Sequence, residues 1–237
     1  MTIIVGTAGW SIPVKDQAAF PDEGTSLSRY AARFGGVEIN SSFHRPHRRS
    51  TWERWAASVP TEFQFTVKLP KTITHQHKLI DCAALLEAHL TDADGLGPAL
   101  AVHLVQLPPS LAFDAALAGP FFHRLSEASG AAIACEPRHA SWFGEDVGAQ
   151  LEEWRVARVA ADPARVPEAA LPGGWPGLAY YRLHGSPIMY RSSYDEQAIA
   201  DYAKQLRGRR DAWCMFDNTA SSAAIGNALD LAALLEA

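Results

Sequence analysis

Eight short apolar segments constrain this chain more than any other feature. They are Ile3 to Thr7, Val37 to Asn40, Phe63 to Leu69, Ala101 to Leu107, Ala131 to Cys135, Val156 to Ala160, Ala179 to Leu183 and Ala212 to Phe216. Stretches with helical periodicity separate nearly all of them. Segments this apolar leave no face for water, which calls for a parallel sheet covered on both sides. Eight strand-then-helix units in 237 residues fit a barrel, and no Gly-x-Gly-x-x-Gly follows a strand to favour an open dinucleotide-binding sheet. The expectation is an α/β fold: a single TIM (β/α)8 barrel forming one domain over residues 1–237.

The connecting segments carry their own signals. Leu27, Tyr30, Ala31 and Phe34 recur at helical spacing behind a Thr25 or Ser26 cap, and Gly35-Gly36 stops that helix. Ser50 to Glu53 and Ser193 to Glu196 have capping-box spacing, in which the two side chains satisfy free amides at a helix start. Residues 117–129 and 223–236 read as helices. Between the sixth and seventh strands lie four prolines (Pro163, Pro167, Pro172, Pro176) and three glycines (Gly173, Gly174, Gly177), which predicts a degenerate helix there.

Charge is unevenly spread. The net charge is -5, yet from His44 to Lys78 seven Lys and Arg stand against two Glu, a balance of +5 that leaves -10 for the rest. Such a field steers a small anion or a short phosphate run, while the acidic body repels bulk nucleic acid. A solvated helix surface equally explains Arg48, Arg49 and Arg54. Cys82, Cys135 and Cys214 are far apart and read as small buried hydrophobes. No apolar run approaches the ~18 residues of a membrane span, and the opening strand has no basic n-region, so a cytoplasmic location is expected.

In a barrel the carboxyl ends of the strands converge on one face. Taken in strand order, they bring Thr7 and Trp10; Glu38, Asn40, Ser41, His44 and Arg45; Lys68 and His75; Gln106; Glu136, Arg138 and His139; Asp162; Arg182 and His184; Asp217 and Asn218. Glu38, Glu136, Asp217, His75 and His184 are the acid-base candidates, since carboxylates near one another and near cations have their pKa values driven apart. Thr7, Trp10, Asn40, Arg45, Lys68, Gln106, Arg138, Arg182 and Asn218 are the substrate-binding candidates, with Arg offering planar two-point contact to carboxylate or phosphate and Lys a point charge. The bland alternative is a packed ion network, Glu38 with Lys68 and Glu136 with Arg182. No motif requires a cofactor or fixes a metal, although Glu38, His75, Glu136, Asp162, His184 and Asp217 would suit a divalent ion. Trp10, Phe43, Trp142 and Tyr190 are able to stack on a ring or to serve as packing lids.

Seven ordered motifs carry a resemblance: Gly6-Thr7-Ala8-Gly9-Trp10, Glu38-Ile39-Asn40-Ser41-Ser42-Phe43, Lys68 with Ile73-Thr74-His75, Gln106-Leu107-Pro108-Pro109-Ser110, Glu136-Pro137-Arg138-His139, Arg182-Leu183-His184-Gly185 and Phe216-Asp217-Asn218-Thr219. Together they resemble the signature of the YecE-like proteins, a family catalogued as a domain of unknown function. The resemblance runs along essentially the whole chain. It departs where the family usually has Ser-Phe-Tyr and this chain has Ser42-Phe43-His44. It implies a TIM barrel similar in type to endonuclease IV and the sugar isomerases, in which strand-end carboxylates and histidines hold metals; that is an analogy of fold.

Three functions compete at this level. The first is an enzyme acting by acid-base chemistry on a small anionic or sugar-phosphate-like substrate. The second is a nucleic-acid binder or a metal-dependent phosphodiester hydrolase. The third is a non-catalytic anion-binding protein.

Overall fold

The computed structural model describes residues 2–236. Its strands are β1 (Thr2–Thr7), β2 (Gly36–Ile39), β3 (Gln64–Lys68), β4 (Leu100–Gln106), β5 (Ala132–Glu136), β6 (Val156–Arg158), β7 (Ala160–Asp162), β8 (Gly173–Gly174), β9 (Ala179–Leu183) and β10 (Asp211–Phe216). The helices are α1 (Ser26–Ala31), α2 (Ser41–His44), α3 (Arg49–Ala56), α4 (Ala83–Ala93), α5 (Ala115–Ala128), α6 (Glu145–Glu153), α7 (Glu196–Arg207) and α8 (Ala224–Glu236).

The strands form two hydrogen-bonded sheets, ordered β1-β10-β9-β7 and β2-β3-β4-β5-β6-β8. Pairing is parallel except for the short β6–β8 ladder. The sheets meet at two seams. At one, a single extended run supplies β6 to one sheet and β7 to the other, and Val159 between them donates its N–H to Cys135 O at 2.8 Å. At the other, Ala8 bridges Glu38 and Gly9 N donates to Glu38 O at 2.8 Å.

That second seam is completed by a side chain. The Tyr30 hydroxyl accepts from Thr7 N at 2.8 Å and donates to Gly36 O at 3.2 Å, carrying a link from β1 to β2 that the backbone does not make directly. Gly6 and Gly36 permit it: a Cβ on Gly6 would stand 2.9 Å from the Tyr30 hydroxyl, and one on Gly36 would meet Ile4 at 2.7 Å.

Strand alternation sorts the core into an inner and an outer set. Val102, Leu104, Ala134, Tyr180, Trp213 and Met215 share one cluster with Ile4 and Val159. Their opposite-parity neighbours Val105, Ile133, Cys135, Tyr181, Cys214 and Phe216 pack with helix residues such as Tyr30, Leu125 and Ile199. One more step of two along the inner rows, from Leu104, Ala134, Tyr180 and Met215, arrives at Gln106, Glu136, Arg182 and Asp217. A polar layer therefore caps the inner apolar one, and these four side chains are buried.

Several local expectations need correction. The helix expected from Ser50 begins at Arg49, with Arg48 as an N-cap that offers no side-chain bond, so the Ser50–Glu53 box is not formed; Glu53 instead pairs with Arg49 at 3.1 Å. The box expected at Ser193 gives way to Asp195, whose carboxylate accepts from Ala198 N at 2.9 Å. A carboxylate at a helix start also answers the helix dipole, which a serine does not. The helix expected from residue 117 starts at Ala115, capped by Asp114. Where the Pro- and Gly-rich stretch lies, a single 3-10 turn, Pro167–Ala170, stands in place of a crossover helix.

Candidate active site

Arg182, near the end of β9, is the centre of the polar layer. Its Nε donates to Glu38 Oε2 at 2.9 Å and its Nη2 to Glu38 Oε1 at 2.6 Å, a planar two-point grip; Nη2 also reaches Asp217 Oδ2 at 2.9 Å, and Nη1 pairs with Glu136 Oε2. Both Arg182 and Glu38 are 0% exposed. Glu38 Oε2 also accepts from the Tyr180 hydroxyl at 3.1 Å. Three carboxylates from β2, β5 and the end of β10 thus close on one guanidinium, and four of its five N–H donor positions are used.

Glu136 is the most heavily bonded acid. Gln106, its register partner across β4 and β5, donates from Nε2 to both oxygens at 3.0 Å, and Arg138 Nε adds a third contact at 3.0 Å. Burial alone would raise its pKa, but the positive charges of Arg182, His184 and Arg138 outweigh that and hold it well below the usual carboxylate range. Asp217 is likewise buried, and Arg182 and His184 hold its pKa down.

His184 sits between these two acids. Its Nδ1–H donates to Asp217 Oδ2 at 3.0 Å, while Nε2 lies 3.5 Å from Glu136 Oε1 and has no hydrogen-bond partner. Burial depresses the imidazole pKa, yet the Glu136 charge and the Asp217 bond more than compensate, so it is raised. The Tyr190 ring meets the His184 ring edge-on at 5.6 Å.

Lys68 ends β3 in the same layer and is only 7% exposed. Among the described residues its Nζ makes no ion pair and no hydrogen bond; it rests 4.3 Å above the Phe43 ring. Burial first, and the charge of Arg182 second, bring its pKa down to about 8. The same Phe43 ring meets His75 edge-on at 4.9 Å, and burial and the charges of Lys68 and Arg138 lower the His75 pKa. His75 Nδ1 is hydrogen-bonded to Thr74 at 2.9 Å.

The remaining candidates are more peripheral. Asn40 Nδ2 reaches Asp217 Oδ1 only at 3.5 Å, and its own oxygen has no partner. Thr7 Oγ1 is spent on Gly9 O and Tyr30. Asn218 Nδ2 ties Ser192 O and Asn227, both at 2.9 Å, which makes it an anchor of the β9–α7 loop. Trp10 packs edge-on against Trp55 and lines, with Thr7, Gly9 and Thr219, a cavity of about 280 Å³ at the ends of β1 and β10. Arg45 is exposed and faces a separate cavity of about 260 Å³ with Phe43, His47 and His89. Trp142 is buried and bonded to Leu111 O, a packing residue. Part of the positive run is spent at the surface, where Arg49 pairs with Glu53 and Asp94.

Sequence reasoning missed Tyr180, whose hydroxyl completes the Glu38 shell. The signal was available: it stands two residues before Arg182 on one strand and so shares its face. Among the described residues no group of three or more His, Cys, Asp or Glu side chains is arranged to hold a metal ion. Of the acids that were candidates for that role, Glu38, Glu136 and Asp217 are turned onto Arg182, and Asp162 accepts from the Tyr194 hydroxyl at 2.6 Å.

The chain is 32% identical over 106 residues to the UPF0759 protein YecE of Escherichia coli, a match spanning 45% of this chain and 38% of that protein. A solved DUF72 family protein of Enterococcus faecalis superposes with a TM-score of 0.83 at 20% identity, covering 100% of this chain and 96% of that one. A sugar phosphate isomerase/epimerase of Parabacteroides distasonis superposes with a TM-score of 0.56 at 13% identity, covering 98% and 95%, which relates the fold to that of TIM-barrel enzymes. The family model described as "Protein of unknown function DUF72" matches residues 4–237, and the chain belongs to that family.

Proposed function

We propose that the two sheets form a (β/α)8-type barrel and that the protein is an enzyme moving a proton on a small anionic, sugar-phosphate-like substrate at the carboxyl ends of its strands. One observation carries this reading: Arg182 absorbs Glu38, Glu136 and Asp217, so Lys68 is left as an unpaired cation in a layer where every acid is already matched. An anionic substrate supplies the missing partner. Arg138, partly exposed at 16% and bonded to Glu136 through Nε, has guanidinium Nη donors to offer the same anion. The roles of Glu38 and Arg182 are then to fix the frame rather than to touch substrate.

His184 is the proton carrier in this reading. Its Nδ1 is fixed on Asp217, and its Nε2 makes no hydrogen bond while lying 3.5 Å from Glu136 Oε1, so one ring nitrogen is oriented and the other has a proton to give or take. Glu136 and Asp217 are held ionised and position the ring. The likeness to an isomerase/epimerase supports proton transfer only as an analogy of fold. The test is solvent exchange: the protein is incubated in D2O with a panel of sugar phosphates and short hydroxy and oxo acids, and C–H loss is followed by proton NMR. Exchange abolished by His184→Gln is expected; exchange that is equal in wild type and His184→Gln removes His184 from the role, and none across the panel removes the reaction.

A further inference from the structure

Lys68 stands out among the groups that proton transfer does not use. Its backbone is fixed from both sides: Ser42 Oγ donates to Lys68 O at 2.6 Å, Leu69 N donates to Leu104 O at 3.0 Å, and β3 pairs with both β2 and β4. Its stem is buried, its amine lies over Phe43, and the charges of Arg182, Glu38, Glu136 and Asp217 act on it. A lysine wanted only for charge balance would be expected on a carboxylate. Here three carboxylates share the layer and all are directed to Arg182 instead.

We propose that Lys68 Nζ is a nucleophile that captures the carbonyl carbon of an anionic aldehyde or ketone as a Schiff base. The inference rests on the anion-site reading above and narrows its substrate to carbonyl compounds. The neutral amine adds its lone pair to the carbonyl carbon, and the nitrogen gives up one proton as the carbonyl oxygen takes one, which leaves a neutral carbinolamine. The carbinolamine then takes up one further proton and loses that oxygen as water, to leave the protonated imine. The net change is one C–N double bond formed, one C–O double bond broken and one water released. The electron-poor imine then favours loss of a proton from the adjacent carbon.

The charges around the amine suit this chemistry. Arg182 opposes its protonation, Glu38, Glu136 and Asp217 favour it, and burial tips the balance towards the neutral form. With a pKa of about 8, roughly a tenth of Lys68 is neutral at pH 7, against a few parts in ten thousand for an ordinary lysine.

The other four lysines provide internal controls, since Lys15, Lys71 and Lys204 are exposed and Lys78 is half-buried. The full chain is incubated with dihydroxyacetone phosphate, pyruvate or uncharged dihydroxyacetone in the presence of cyanoborohydride, and adducts are located by peptide mass mapping. In parallel, the shift in melting temperature is read with glycerol phosphate and lactate, which are anions without a carbonyl. The expected result is reductive trapping at Lys68 roughly tenfold or more above Lys71 and Lys204 with the anionic carbonyls, suppressed by excess inorganic phosphate and absent in a folded Lys68→Arg protein. Thermal shifts by the carbonyl-free anions without a Lys68 adduct overturn the Schiff base and leave the anion site standing. Neither shift nor adduct overturns both, and adducts spread evenly over the lysines overturn the special reactivity of Lys68.

Discussion

Arg182 grips both oxygens of Glu38, at 2.9 and 2.6 Å, with neither residue exposed to solvent. The pair joins β9 to β2, strands of different sheets and 144 residues apart. An arginine so placed serves as a rivet: removing it strands three carboxylates in a buried layer. Arg182→Met is therefore expected to destabilise by about 3–5 kcal/mol, the range for breaking a buried ion pair from one side. Arg182→Lys should recover little of that, because an ammonium cannot reproduce the planar fork. Urea unfolding checks both, and a loss below about 1 kcal/mol for the methionine variant would contradict the rivet.

The opposite sign is expected at Lys68. Burying its ammonium beside Arg182 costs stability at every pH where both folded and unfolded chains carry that charge. Its folded pKa of about 8 lies below the ordinary lysine value, so the cost is full below pH 8 and shrinks as pH rises towards 10. Lys68→Met should thus stabilise at pH 7 by up to about 3 kcal/mol, with the gain fading at higher pH. A destabilised Lys68→Met protein at pH 7 would show that Lys68 is held for structure.

His184 provides a direct reading of the electrostatics. Glu136 and Asp217 raise its pKa, so its imidazole should titrate in the folded protein above the ordinary value of about 6.5. Asp217→Asn removes the negative charge facing Nδ1 and should bring the midpoint down. Nitrogen-15 NMR of the ring follows this; an unmoved midpoint would mean that Asp217 does not set the state of His184.

At the β1–β2 seam the Tyr30 hydroxyl stands between Thr7 N and Gly36 O. Tyr30→Phe keeps the ring packing against Phe34 and Phe63 and deletes only that link. The loss should be roughly 1–3 kcal/mol for each buried group left without a partner, read by thermal or urea unfolding. A neutral change would mean that the two strands close up without the hydroxyl.

Alternation along the strands made much of this arrangement legible, since Glu38, Gln106, Glu136, Arg182 and Asp217 all stand at strand ends with inner parity. Parity tells which way a side chain faces, however, and not which partner it meets. Arg182 reads from sequence both as a ligand-binding residue and as a partner of Glu136, and that pairing stands; its grip on Glu38 and Asp217 appears only when the order of strands sets β9 across from β2. The expected pairing of Glu38 with Lys68 fails for the same reason, and Lys68 is left alone. Asn218 stands beside Asp217 in one motif, yet the adjacent position turns its side chain to Ser192 and Asn227. At Ser50 and Ser193 local spacing suggested caps, but the competing choices, an Arg49–Glu53 pair and the Asp195 carboxylate, depended on the surrounding packing and on charge.

The central claim is that the unpaired Lys68, with Arg138, binds a small anion at the strand ends. Isothermal titration of inorganic phosphate into wild type, Lys68→Met and Arg138→Met proteins at low ionic strength tests it most directly. One saturable site in wild type, weakened by roughly tenfold or more in each variant, is the expected result. Affinity unchanged by either substitution, or no saturable binding in wild type, would contradict it.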